Sequence, residues 1–173
     1  MRTGSQACDI AAELQGGSAE CLHRRREIVA LNLFSSTILG IVALYQVGIL
    51  KAMPRLPTRV FDSEKIHGSA EAYSIAGIPD GLLGSASYAA TACLAGMGPE
   101  DRSRTHPWMP LSTVLKTAVD ATAAATFMCI GWKKYRKLSI FSLAIAAATS
   151  LSILLALPEA KDAVRGWTKS NPR

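Results

Sequence analysis

Four apolar stretches separated by short charged blocks set the pattern of this chain. Residues 28–50 are 23 consecutive uncharged positions, and residues 138–158 are 21. At about 1.5 Å of rise per helical residue, each run can cross a hydrocarbon core of about 30 Å. The run 72–98 carries one charge, Asp80, and is rich in small residues. The run 111–132 is the least apolar and carries Lys116 and Asp120. None of the four would stay soluble outside a bundle. The pattern predicts an all-α, integral membrane four-helix bundle over residues 28–157, with spans at about 28–50, 73–98, 111–132 and 138–157. Residues 1–27 read as a flexible cytoplasmic tail, polar and without a sustained period, and 158–173 as a second cytoplasmic tail.

Three features interrupt this apolar background. Gly77 and Pro79 break the start of the second span, where a proline frees a carbonyl and predicts a kink. Gly77/Gly81 and Ala92/Gly96 are small residues four apart, the spacing that lets helices approach closely in lipid. Lys116 and Asp120 stand at i and i+4 on one helix face, where they can pair. Lys116 is also near enough to a span end to snorkel, whereas an ionised Asp120 near mid-membrane must face the bundle. A structural clamp is the plainer reading of this pair, and a proton relay the sharper one.

Charge adds orientation. The net charge of +6 comes from basic residues that bracket the apolar runs, with no groove-reading motif, so nucleic acid is excluded as a partner. The triple arginine Arg24-Arg25-Arg26 before the first span places the N-terminus in the cytoplasm. The first apolar run starts too far in, and is too long, for a cleavable signal, so it reads as an anchor. Trp108, Trp132 and Trp167 fall at span ends, as interfacial anchors do. Cys8, Cys21, Cys93 and Cys129 form no CxxC and have no metal-ligand spacing with the three histidines. Neither a metal nor a nucleotide is expected.

At the second span, Gly77-Ile78-Pro79, then Gly84 and Tyr88, resembles the vitamin K epoxide reductase family. Upstream, Asp62-Ser63-x-x-Ile66 is similar to the family's Asp-Cys-x-x-Val loop segment, and Leu138-Ser139-Ile140-Phe141-Ser142 to its Cys-x-x-Cys opening of the fourth span. The resemblance covers about residues 28–157 and points to bacterial-type members, of which only the membrane domain is present here. It implies a four-helix bundle around a quinone pocket in the bacterial inner (plasma) membrane. Family enzymes pass electrons from loop cysteines to the fourth-span Cys-x-x-Cys and on to a bound quinone, and bacterial members reoxidise a thioredoxin-like partner. Some animal relatives carry an Asn at the position matching Asp80, where it hydrogen-bonds a quinone carbonyl. Carried over, Asp80, Pro79, Gly84 and Tyr88 become the ligand-binding candidates. A carboxylate, however, repels a quinone oxygen unless it carries a proton.

The larger departure lies in the thiols. Ser63, Ser139 and Ser142 stand where the resemblance places redox cysteines, and serine cannot form a disulfide or relay two electrons. Antiparallel packing puts Cys93 and Cys129 roughly 20 Å or more apart along the membrane normal, whereas a disulfide needs Cα atoms within about 7 Å. The leading expectation is a non-thiol relative that binds a quinone or similar membrane lipid, or acts as an accessory subunit. An active quinone-linked oxidoreductase using other groups, or the thiols of a thioredoxin-like or other membrane partner, is the first alternative. An unrelated small structural membrane protein is the second.

Overall fold

The computed structural model describes residues 2–53, 77–136 and 139–170. These are helical: α1 (Arg2–Gly16), α2 (Glu20–Gln46), α3 (Asp80–Gly96), the short α4 (Arg102–Thr105), α5 (Trp108–Tyr135) and α6 (Ile140–Ser170). Among the described residues, α2, α5 and α6 are long and apolar enough to cross a membrane. With its 17 residues, α3 rises about 26 Å and completes the bundle. The four helices close a ring in which α2 packs on α3 and α6, and α5 packs on the same two. Leu33, Phe34, Ile41, Leu115, Val119, Leu151 and Leu154 are exposed on the outside of this ring. Such an apolar outer surface suits lipid.

Inside the ring, two apolar layers enclose a polar one. One layer holds Ile28, Ala95 and Ala156, and the other Ile38, Tyr88 and Ile145. Between them along the helices lie buried Asn32, Ser35, Thr91, Thr117, Thr149 and Ser152. Away from water each hydroxyl needs an internal partner. Ser35, Thr117, Thr149 and Ser152 donate to carbonyls four residues back in their own helices, at 2.7–3.0 Å. Asn32 Nδ2 donates to Ile28 O at 2.8 Å and reaches Ser152 Oγ at 3.3 Å. Among the described residues, Asn32 Oδ1 is the one buried side-chain atom of this seam without a partner.

Several boundaries differ from those the sequence predicts. The stretch read as an N-terminal tail forms α1, and α2 begins eight residues before the apolar run. Arg26 docks the end of α1 through bonds of 2.8 Å from Nε to Leu14 O and from Nη2 to Gly17 O. At the other terminus, α6 continues through Pro158 to Ser170. Proline forfeits one backbone bond, but buried Ala160 and Ala163 and the Glu159–Arg102 ion pair hold the extension against the bundle. The expected kink at Pro79 is instead the beginning of a helix: Pro79 is the N-cap of α3, and Leu82 N–H bonds to its carbonyl at 3.1 Å. The expected stretch 73–76 lies outside the described residues. Gly77, expected to pack against a neighbour, is exposed, and its φ of +71° serves the turn into α3.

The opposite end of α3 is closed by two arginines that the charge pattern reads only as flanking positives. Arg25 and Arg102 are 1% and 0% exposed. Arg25 donates to the carbonyls of Ala95, Met97, Gly98 and Pro99 at 2.7–3.1 Å. Arg102 donates to those of Leu94, Ala95 and Met97 at 2.7–3.0 Å and grips Glu159 through Nε and Nη2 at 2.6 and 2.8 Å. A helix C-terminus leaves its last carbonyls unpaired and carries partial negative charge. Two guanidinium groups answer both demands in one place.

Candidate functional site

The site grows from the N-terminal end of α3. There Gln46, the last residue of α2, faces the first turn of α3. Its Oε1 accepts the Gly81 N–H at 3.0 Å, and its Nε2 donates to Asp80 Oδ1. This approach requires glycine at 81. An added Cβ would sit 2.7 Å from Ala43 N and 2.9 Å from Leu39 O, which are backbone atoms that cannot move aside alone. At Gly84 a Cβ would meet Leu39 Cδ1 at 2.8 Å, a side-chain end that can shift.

A cavity of about 100 Å³ opens beside this contact, between α3, α5 and α6. Asp80, Gly84, Ser87 and Tyr88 line it from α3, Asp120 and Phe127 from α5, and Ser142 from α6. For scale, an engineered apolar cavity of about 150 Å³ holds a benzene ring. The α3 residues fall at i, i+4, i+7 and i+8, so helical geometry alone puts them on one face. That spacing was the signal by which Ser87 could have been found from the sequence. Gln46 had no comparable signal, because its role depends on α2 meeting α3.

Hydrogen bonding determines what the lining offers. Asp120 is 3% exposed and accepts from Ser87 Oγ at 2.7 Å, Thr91 Oγ1 at 2.6 Å and Lys116 Nζ at 2.6 and 2.8 Å. Lys116 does not snorkel; its ammonium turns inward and also reaches Ser87 Oγ at 2.7 Å and Ser87 O at 3.1 Å. The pair ties α5 to α3 as a fully bonded cluster. Tyr88 is buried, with its hydroxyl 2.8 Å from Thr149 Oγ1 on α6.

The remaining candidates separate. Ser139 precedes α6, is 2% exposed, and its Oγ accepts the Ser142 N–H at 3.4 Å, the local geometry of a helix N-cap. Pro79 sets the start of α3, as above, and Ser63 lies outside the described residues. All four cysteines are free, with Cys8, Cys93 and Cys129 exposed. Asp80, Gly84, Tyr88, Asp120 and Ser142 are therefore brought to one cavity.

A helical membrane bundle with a small cleft between its helices is the class of protein that this architecture defines. Residues 26–157 match the Vitamin K epoxide reductase family, and the chain belongs to that family. No curated protein and no solved structure matches it.

Proposed function

We propose that this chain is a non-thiol member of its family that binds the ring of an isoprenoid quinone, or a similar membrane lipid, in the α3/α5/α6 cavity. The observation that carries this reading is the convergence of Asp80, Gly84, Tyr88 and Ser142 on that one cavity. Asp80 and Ser142 supply polar contacts, while Leu39, Phe127 and Ile145 supply the apolar walls that a substituted ring needs. Ser63, Ser139 and Ser142 occupy the positions of the family's redox cysteines, so the thiol relay is absent. The Ser139 N-cap supports this, since the residue has a structural role that needs no thiol. No exposed cysteine lines the cavity to replace the relay. The protein sits in a bacterial inner membrane with its N-terminus in the cytoplasm, and it presents the ligand to, or holds it for, a membrane or thioredoxin-like partner.

Direct binding tests this reading. Purified protein in detergent or nanodiscs is expected to bind ubiquinone or menaquinone, offered in both oxidation states, and Asp80→Leu to change that binding by about tenfold or more, the scale of one contact to a charged group. Equal affinity in the two proteins removes Asp80 from the site. A quinone in the lipid extract of the purified protein would identify the natural ligand.

A further inference from the structure

We infer that the cavity selects the reduced, hydroxyl-bearing form of the ring, a hydroquinone or related phenol, over the oxidised quinone. The inference rests on the ring-binding reading above and adds the redox state of the ligand. It follows from where the hydrogens of the lining are already committed.

A quinone presents two carbonyl oxygens, both acceptors, whereas a hydroquinone presents two hydroxyls that each donate and accept. The lining is short of free donors. Ser87 Oγ gives its only hydrogen to Asp120 Oδ1 at 2.7 Å and accepts from Lys116. The Lys116 ammonium is spent on Asp120, Ser87 and Thr91. Thr149 Oγ1 gives its single hydrogen to Ile145 O at 2.7 Å, so in the 2.8 Å contact with Tyr88 it must accept. The Tyr88 hydrogen is therefore directed at Thr149 and away from the cavity.

Two lining groups retain capacity among the described residues. Asp80 uses Oδ1 toward Gln46, and its Oδ2 carries no hydrogen bond. The Ser142 hydroxyl likewise has no partner. An ionised carboxylate accepts only, while a serine can do either. A ring oxygen beside Asp80 must therefore bring its own hydrogen, and the oxygen at the other side can receive one from Ser142. A hydroquinone satisfies both contacts. A quinone satisfies Ser142 but sets its second oxygen against a carboxylate, a repulsive and unbonded contact.

The test compares one ring in two oxidation states. A short-chain alkyl benzoquinone and its hydroquinone are titrated into the full-length protein in nanodiscs without oxygen, and bound ligand is measured calorimetrically. Wild-type protein is expected to bind the hydroquinone about tenfold or more tightly. Asp80→Asn keeps an oxygen for Gln46 and adds an amide donor, so it should bring the two affinities within about threefold. Equal wild-type affinities overturn the selectivity and leave the ring site standing, whereas an unchanged preference in Asp80→Asn overturns its assignment to Asp80. Binding of neither form removes the site and the selectivity together. The wild-type comparison decides the matter alone if Asp80→Asn does not fold.

Discussion

The two ends of α3 meet the same physical problem and resolve it differently. Each leaves backbone groups without helical partners at the edge of an apolar bundle. At the Gly96 end, Arg25 and Arg102 together donate to the carbonyls of five residues and close the structure around them. At the Asp80 end a single neutral side chain, Gln46, serves one N–H and one carboxylate oxygen. The second carboxylate oxygen has no hydrogen-bond partner among the described residues, and Asp80 lines a cavity. One end is saturated and the other holds an acceptor in reserve. The difference separates a structural terminus from a terminus that can take a ligand, although both are rich in polar groups.

The saturated end should be the more fragile when cut. Arg102→Ala removes three carbonyl contacts and strands Glu159, which is only 10% exposed, without its partner. Breaking one side of a buried ion pair typically costs about 3–5 kcal/mol. Reversible unfolding in a mixed-micelle denaturant series should show a loss of that size. A loss below about 1 kcal/mol would mean that the arginine clamp is dispensable and that the contrast between the ends is not one of saturation.

At the other end the largest effect should come from Gly81→Ala. Its methyl would meet backbone on α2 at 2.7 and 2.9 Å, forcing the helices apart at the Gln46 bridge. Overpacking of this kind costs about 1–3 kcal/mol. Gly84→Ala meets a flexible leucine end instead and should cost less in the same assay. If the two variants are equally destabilised, the close approach at Gly81 has been overestimated.

This asymmetry was only partly legible in the sequence. The spans 28–50, 111–132 and 138–157 could be read from length and charge, because crossing lipid imposes a constraint that composition alone satisfies or fails. Asp80, Gly84 and Tyr88 could be placed on one face because they are four residues apart along a helix. The start of α3 could not, since proline serves equally as an interior kink or as a residue before the first turn, and only the chain around it decides. The end of α6 is hidden for the converse reason: Pro158 looks like a stop, but Glu159 finds Arg102, distant in sequence and adjacent in space. Arg25 and Arg102 were hidden most completely. Basic residues flanking an apolar run are expected whatever they touch, so nothing local distinguishes a buried clamp from a solvated collar. The N-terminal helix α1 also lacks a signal, because its docking depends on Arg26 reaching the carbonyl of Leu14 within it and that of Gly17 just beyond it.

The smallest expected effect is the most discriminating for the reserve of hydrogen bonds at the Asp80 end. Tyr88→Phe deletes one hydroxyl and keeps the ring that packs with Ile38 and Ile145. Thr149 loses a donor but still gives its hydrogen to Ile145 O, so no buried donor is orphaned. The stability loss should be about 0.5–1.5 kcal/mol, the net worth of a neutral bond. Ring binding should change by less than about twofold, because a hydroxyl directed at Thr149 gives nothing to the cavity. Unfolding in micelles and titration with the alkyl hydroquinone measure the two quantities on the same preparation. A tenfold loss of binding with stability intact would mean that the Tyr88 hydrogen reaches the ligand. The cavity would then own a second donor, a quinone could be held there as readily as a hydroquinone, and Asp80 would no longer decide which form enters.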